Sequence, residues 1–202
     1  MMEKIDIQNY WDNRYLNGGT SGNGSRGLLL EWKSEILNSF IKRNNVKHVI
    51  EIGCGDGYLA ERIKVQKYEG FDISSEAVKL CKSKSLKNKK FDLVEKLGAK
   101  KSELVLSIDV LFHCLTKELL EDALNQIFEA STKYVIIYAY DHEPMADERF
   151  SSFYKPQKFT SVISALFPGW ELNDRIEQKY KVQDYGVVYG SYSDFYMYEK
   201  KC

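Results

Sequence analysis

His48-Val49-Ile50-Glu51-Ile52-Gly53-Cys54-Gly55-Asp56-Gly57-Tyr58 reads as a short buried strand that ends in an acid and opens into a glycine-rich turn. A second strand-like run follows, Tyr68-Glu69-Gly70-Phe71-Asp72-Ile73-Ser74, and it carries a further acid, Asp72. An acid-G-x-G-x-G turn with a second carboxylate about 20 residues on suits a ligand that contains adenosine. Glycine lets the backbone come close to such a ligand. The later carboxylate can accept hydrogen bonds from ribose hydroxyls.

Strands and helices alternate around this turn. Upstream, Leu29, Trp32, Ile36, Leu37, Phe40 and Ile41 keep the period of an amphipathic helix. Downstream, Leu59, Ala60 and Ile63 predict a helix after Gly57, and Ser74 or Ser75 is placed to cap a helix holding Ala77, Val78, Leu80 and Cys81. Phe91–Val94 reads as a weak third strand, Glu103–Asp109 as a strong fourth and Tyr134–Tyr140 as a fifth, with a helix over Lys117–Ala130. A helix at Pro156–Leu166 precedes two strand-like runs, Trp170–Tyr180 and Ser193–Glu199, joined by Gly186–Gly190. The pattern predicts an α/β fold: a three-layer, Rossmann-like sheet of about seven strands, mostly parallel, with a C-terminal antiparallel hairpin.

The 202 residues are 44% hydrophobic and 13% aromatic, which suffices for one core, and no shift in composition marks a second domain. Lys+Arg and Asp+Glu both number 29, so the chain is neutral and has no overall drive toward nucleic acid. The lysine-rich run Lys79–Lys90 reads as a solvated helix end and loop. Cys54, Cys81, Cys114 and Cys202 form no CxxC pair and have no zinc-ligand spacing with histidine, which fits a reduced, cytoplasmic protein with no bound metal. There is no apolar signal region at the N-terminus, and no run approaches the ~20 apolar residues of a membrane span.

Nicotinamide and flavin dehydrogenases need a third glycine, in G-x-G-x-x-G, for close packing of helix on strand. Counted from Gly53, that place holds Tyr58; counted from Gly55, it holds Ala60, which sets the turn two residues late. Glu51, two residues before Gly53, belongs to a different pattern. Glu51-Ile52-Gly53-Cys54-Gly55-Asp56-Gly57 matches the first motif of the class I S-adenosylmethionine-dependent methyltransferases almost letter for letter. Gly70-Phe71-Asp72-Ile73-Ser74 matches their second, and Leu104–His113 looks like their fourth strand and the turn after it. The chain resembles that family from about residue 29 to about residue 200.

The resemblance implies S-adenosylmethionine as cofactor and S-adenosylhomocysteine as product. It implies that the turn of Glu51, Gly53, Cys54 and Gly55 meets the methionine end. Asp72 would hold the ribose hydroxyls, Ile73 would pack on the adenine and Asp92 would approach the adenine edge, while Ser107 and Ile108 would lie near the transferred methyl. Tyr10-Trp11-Asp12, Arg14-Tyr15, Gly18–Ser25 and Lys33 are similar to a subgroup associated with bacterial surface-glycan, or capsule, modification. In that likeness residues 1–27 of a single 1–202 domain form a cover over the cofactor, through Trp11, Tyr15 and Ser25. Lys33 would partner the methionine carboxylate.

Methyl transfer to an alcohol needs alignment and a base. His113 after the fourth strand is one candidate, because imidazole accepts a proton near neutral pH; it is equally a helix-start histidine bonded to backbone. Asp109 stands as a base, as a group that orients His113 or as a helix cap. Asp141 and His142 follow the fifth strand. Metal-assisted enzymes resembling this fold carry acid-x-x-acid-His, and here Phe112 replaces the second acid, so no metal is expected. Enzymes of this fold that methylate DNA amino groups carry a proline turn that Ser107-Ile108-Asp109-Val110 lacks, and no proline precedes Cys114. The expected partner is a small-molecule acceptor, and the N-terminal likeness implies a sugar, a nucleotide-linked compound or a phosphoramidate intermediate of capsule assembly; a nucleic-acid or protein acceptor, or a cofactor-binding module without catalysis, are the alternatives. Tyrosine-rich loops at Asp141–Tyr154 and Gln183–Tyr192 would receive it, with Arg149 and Lys155 facing a phosphate.

Overall fold

Successive apolar side chains along the central strands point to opposite faces, so one sheet builds a core on each of its faces. A computed structural model describes residues 4–143 and 153–201. Its strands are β1 (His48–Ile52), β2 (Lys67–Asp72), β3 (Lys89–Leu93), β4 (Ser102–Ile108), β5 (Ser131–Ala139), β6 (Trp170–Ile176) and β7 (Asp194–Lys200). They pair in the order β3-β2-β1-β4-β5-β7-β6. The pairs from β3 to β5 are parallel, and β7 lies antiparallel to both β5 and β6.

The described helices are α1 (Lys4–Leu16), α2 (Gly27–Arg43), α3 (Tyr58–Arg62), α4 (Ser75–Ser83), α5 (Lys117–Glu129), α6 (Phe159–Leu166) and α7 (Val182–Tyr189). On one face of the sheet, Val49, Tyr68, Leu104, Leu106 and Ile136 share a core with Leu37, Phe40 and Ile41 of α2, Leu59 and Ala60 of α3, and Cys81 of α4. On the other, Ile50, Val105, Val135 and Ile137 share a core with Leu120, Leu124 and Ile127 of α5 and with Phe159 and Ile163 of α6. Strands covered on both faces read as continuous apolar runs, which is why β4 and β5 stand out in the sequence. Side-chain caps begin two helices. Ser74 Oγ accepts from Ala77 N at 3.1 Å before α4, and Thr116 Oγ1 from Leu119 N at 3.2 Å before α5.

Of the boundaries that differ from the sequence expectation, three have a clear physical cause. The fourth strand stops at Ile108, because Asp109 turns out of it with a left-handed φ of 61°. The sixth helix starts at Phe159 and not at Pro156. Asp141 reaches across from the end of β5 and accepts from Thr160 N at 3.1 Å, which sets the first turn there. The Gly186–Gly190 connection is no tight turn: it belongs to α7, which breaks at Gly186 (φ 67°, ψ 172°). The antiparallel pair at the edge is present, but a helix joins its strands.

Leu124 is fully buried between α5 and the sheet. Leu124→Ala should lower unfolding stability by ~2–5 kcal/mol, read as a lower urea midpoint at unchanged slope.

Candidate active site

β1 lies between β2 and β4, so the connections leave it in opposite directions. This reversal opens a crevice at the carboxyl ends of the parallel strands. A cavity of about 200 Å³ occupies it, and the glycine turn forms its floor. Gly53 N and Cys54 N both donate to Phe71 O, at 2.7 and 3.1 Å, which ties the turn to the end of β2. Gly53 has φ 83°, and a side chain there would overlap Val110; Gly55 has φ 53°, and a side chain there would overlap Ser21. Both positions therefore demand glycine by conformation and by space.

Two acids stand behind the turn. Asp72 accepts from Gly55 N at 2.8 Å and from Ser74 N at 2.9 Å. It is only 7% exposed, and burial pushes its carboxyl up to about 6. An ionised carboxylate offers about four acceptor sites, so capacity remains for hydroxyl donors from the cavity. Glu51, 2% exposed, accepts from the Tyr68 hydroxyl, and burial pushes its carboxyl up to about 7.

The N-terminal segment closes over these groups. Asp12 accepts from Ser74 Oγ at 2.6 Å and from Glu76 N at 3.3 Å, which seats α1 on the start of α4. Tyr15 and Ser21 share a hydroxyl hydrogen bond of 2.8 Å. Ser21 N donates to Asp56 Oδ2 at 3.0 Å, and Asp56 N returns a bond to Ser21 Oγ at 2.9 Å. Arg26 pairs with Asp56 at 2.6 Å while its guanidinium lies 3.6 Å from the Tyr58 ring centroid. Burial raises the Asp56 carboxyl, but Arg26 and Ser21 outweigh it and hold the group below its ordinary value.

Beside the turn, Lys33 pairs with Asp109, whose neighbour Val110 stands against Gly53. The lysine is 1% exposed, so this pair is desolvated on one side. His113 lies on a 3₁₀ turn, Leu111–His113, with its ring centroid 5.0 Å from that of Trp11 and the two rings nearly perpendicular. His113 Nδ1 bonds to the carbonyl of Phe153. A carbonyl only accepts, so Nδ1 carries the proton and Nε2 keeps its lone pair. Burial holds the imidazole below its ordinary pKa, so it is neutral near pH 7.

Thirteen of the sixteen residues expected in the site line this one cavity: Trp11, Tyr15, Ser25, Lys33, Glu51, Gly53, Cys54, Gly55, Asp72, Ile73, Ile108, Asp109 and His113. Three expectations are corrected. Asp92 alternates with buried Phe91 on β3, points out to solvent and bonds to Leu93 N; Val94 lines the cavity instead. Ser107 shares the face of Val105, away from Ile108, and its buried hydroxyl has no hydrogen-bond partner. Asp141 is engaged by Thr160 N, by Thr160 Oγ1 at 2.7 Å and by Lys158 at 2.7 Å, and lies outside the cavity.

Of the acceptor-side candidates, His142 bonds to the Glu143 carbonyl and Lys155 to that of Leu115. Arg149 lies outside the described residues. Tyr140 stacks on Tyr192 with centroids 5.2 Å apart, and Tyr185 and Tyr189 of α7 are exposed. Sequence reasoning missed Ser21 and Asp56, which meet across 35 positions of chain. It also missed Leu119, Asp122, Ala123 and Gln126 of α5. Their spacing of i, i+3, i+4, i+7 is a second helical stripe, overshadowed by the apolar stripe of Leu120, Leu124 and Ile127.

A family described as "Methyltransferase domain" matches residues 50–154. Among solved structures, the chain is similar to magnesium protoporphyrin IX methyltransferase from Synechocystis PCC 6803 with bound SAH. The TM-score is 0.73 at 14% identity, over 98% of this chain and 100% of that one. It is also similar to the N-methyltransferase NodS from Bradyrhizobium japonicum WM9 in complex with S-adenosyl-L-homocysteine, with TM-score 0.71 at 14% identity over 96% and 98% of the two chains. A third is an S-adenosylmethionine-dependent methyltransferase from Clostridium acetobutylicum ATCC 824, with TM-score 0.60 at 11% identity over 99% and 100%. At such identities the likeness is one of fold. No curated protein matches the chain in sequence.

Glu51 holds its proton more tightly folded (pKa about 7) than its ordinary value of 4.5 allows when unfolded. Its stabilising contribution is therefore complete below pH 4.5 and is lost as pH rises through 7. Between pH ~5 and ~7.5 the wild type should lose more stability than Glu51→Gln, whose amide does not titrate; parallel urea-unfolding profiles would refute this.

Proposed function

The chain belongs to the methyltransferase domain family, and we propose that it transfers a methyl group from S-adenosylmethionine to an oxygen atom of a small acceptor. The observation that carries this reading is the one cavity in which the glycine turn and Asp72 meet the Lys33–Asp109 pair and His113. S-adenosylmethionine supplies an activated methyl on a sulfonium sulfur, so the protein contributes mainly alignment.

The lining fits that molecule part by part. Ile73 and Val94 offer an apolar slot suited to a flat base. Asp72 has acceptor capacity left for ribose hydroxyls. A methionine end is a zwitterion, and Lys33 and Asp109 are its complement: the ammonium of Lys33 for the carboxylate and the carboxylate of Asp109 for the amino group. Residues 4–27 act as the cover, with Trp11 and Tyr15 excluding water from the transfer site.

His113 serves as the base. Its Nε2 takes the acceptor's proton, and its bond to the Phe153 carbonyl fixes the ring and steadies the imidazolium that forms. The acceptor we favour is a sugar, a nucleotide-linked compound or a phosphoramidate intermediate of capsule assembly. The N-terminal likeness to surface-glycan enzymes supports that choice, and the Tyr140–Tyr192 stack suits a ring face.

Calorimetric titration tests the cofactor: S-adenosylmethionine and S-adenosylhomocysteine should bind and a nicotinamide dinucleotide should not. Asp72→Ala should weaken both by roughly tenfold or more, in line with the loss of hydrogen bonds to a charged group. His113→Ala should lower turnover on a hydroxyl acceptor by roughly 10²–10⁴-fold while S-adenosylhomocysteine affinity holds. Turnover close to wild type would remove His113 from the mechanism. Because burial depresses the imidazole, the acid limb of the wild-type rate profile should fall below His113's ordinary value of 6.5.

A further inference from the structure

We infer that Tyr10 of α1 is a positioning residue for the base: by stacking on Phe153 it holds the carbonyl that keeps the His113 proton on Nδ1, so the helix that covers the cofactor also sets the base. The inference rests on the reading of His113 as the base of an S-adenosylmethionine-dependent transfer and adds the group that orients it.

Four observations converge. First, Asp109, the acid expected to orient His113, is engaged by Lys33, and the Nδ1 bond goes to the backbone carbonyl of Phe153 instead. Second, Phe153 belongs to no helix or strand, so no ladder or helical turn fixes its peptide. Side-chain and loop contacts do that work. Downstream, Lys155 N donates to Phe112 O at 2.7 Å, and Tyr154 stacks on Phe112 with centroids 4.4 Å apart. Phe153 itself lies flat on Tyr10, with centroids 4.0 Å apart and planes 15° from parallel. Third, Trp11, the next residue of α1, packs on the imidazole at 86° to its plane. Two consecutive residues of the cover thus grip the orienting segment and the ring that it orients. Fourth, α1 is seated independently of this contact, through Asp12 on Ser74 and Tyr15 on Ser21. Neither Tyr10 nor Phe153 lines the cofactor cavity, so their stack is separate from the binding of the methyl donor.

The chemistry turns on one proton. A neutral imidazole carries it on one nitrogen, and the bond made there decides which. With Nδ1–H held by a carbonyl, Nε2 keeps its lone pair and takes the acceptor's proton. The electron pair of the broken O–H bond stays on oxygen, which attacks the methyl carbon, and the electrons of the carbon–sulfur bond leave with sulfur. In the other tautomer Nε2 already carries a proton and cannot act as a base. A carbonyl in a loop is only as well placed as its segment, and the Tyr10–Phe153 stack supplies that placement.

The readout is the ring itself and needs no acceptor. Nitrogen-15 spectra of the imidazoles distinguish the two tautomers. The chain has three histidines, and the signals of His113 are those missing from His113→Gln. At neutral pH the wild type should show the Nδ1–H form. Tyr10→Ala and Phe153→Ala leave the carbonyl in the chain but free its segment. Each should lower the ratio of Nδ1–H to Nε2–H by roughly two- to tenfold, the effect of losing one aromatic pair. The double variant should fall no further than either single one, because both remove the same stack. Tyr10→Phe keeps the stack and should keep the wild-type ratio. Circular dichroism confirms that each variant is folded, and each should bind S-adenosylhomocysteine as the wild type does. A purely structural stack would lower stability and leave the tautomer where it is. An unchanged ratio in Tyr10→Ala and Phe153→Ala overturns the inference while the base reading stands. An Nε2–H ring in the wild type overturns the base and this inference with it, and failure of the wild type to bind S-adenosylhomocysteine overturns the cofactor reading on which both rest.

Discussion

The carbonyl of Phe71 and the carboxylate of Asp72, adjacent at the end of β2, receive the amides of Gly53, Cys54 and Gly55. Much of the site hangs on this contact. It bends the chain sharply as it leaves β1, and the bend is possible only because the glycines take left-handed φ values. The turn in turn fixes Asp56, which anchors Ser21 and Arg26 of the N-terminal segment. Asp72 thus has two tasks. It braces the turn through its bonds to Gly55 and Ser74, and it keeps acceptor capacity directed at the cavity.

Charge is handled differently from group to group around the turn. At the turn, Asp56 is satisfied by an arginine, a hydroxyl and a backbone amide, so it stays ionised despite burial. Beneath it, Glu51 has one hydroxyl partner in a dry setting, and its carboxyl rises. Beside the turn, Lys33 and Asp109 neutralise each other. A buried pair of this kind adds little net stability, since desolvation offsets the attraction, but removing either partner is costly. Under the proposed function the pair would present two opposite charges side by side to a zwitterionic ligand. The left-handed backbone at Asp109 fits this role, since local strain of that sort collects at functional sites.

Much of the fold was legible because its signals are local. Parallel strands covered on both faces read as apolar runs, and helices between them carry a 3.6-residue stripe. The glycine turn was legible because steric demands on φ leave few residue choices. Legibility failed where a residue's partner is distant in sequence. Asp141 looked like a site acid because it follows a strand, yet Thr160 and Lys158 claim it. Ser107 looked well placed, but the alternation of β4 turns it to the other face. Asp92 failed in the same way, one residue out of phase with the cavity.

The sequence by itself determined the order of strands and helices as far as β6, the glycine turn after β1 and the two acids that flank it. These follow from backbone sterics and from hydrophobic periodicity, both of which act over a few residues. Only the tertiary structure decided which polar groups are spent and which remain available. Lys33 meets Asp109 across 76 positions, His113 is oriented by a carbonyl 40 positions away, and a second stripe of α5 turns into the cavity. A hydrogen bond is satisfied by whatever group arrives within about 3 Å, and chain topology alone brings such groups together.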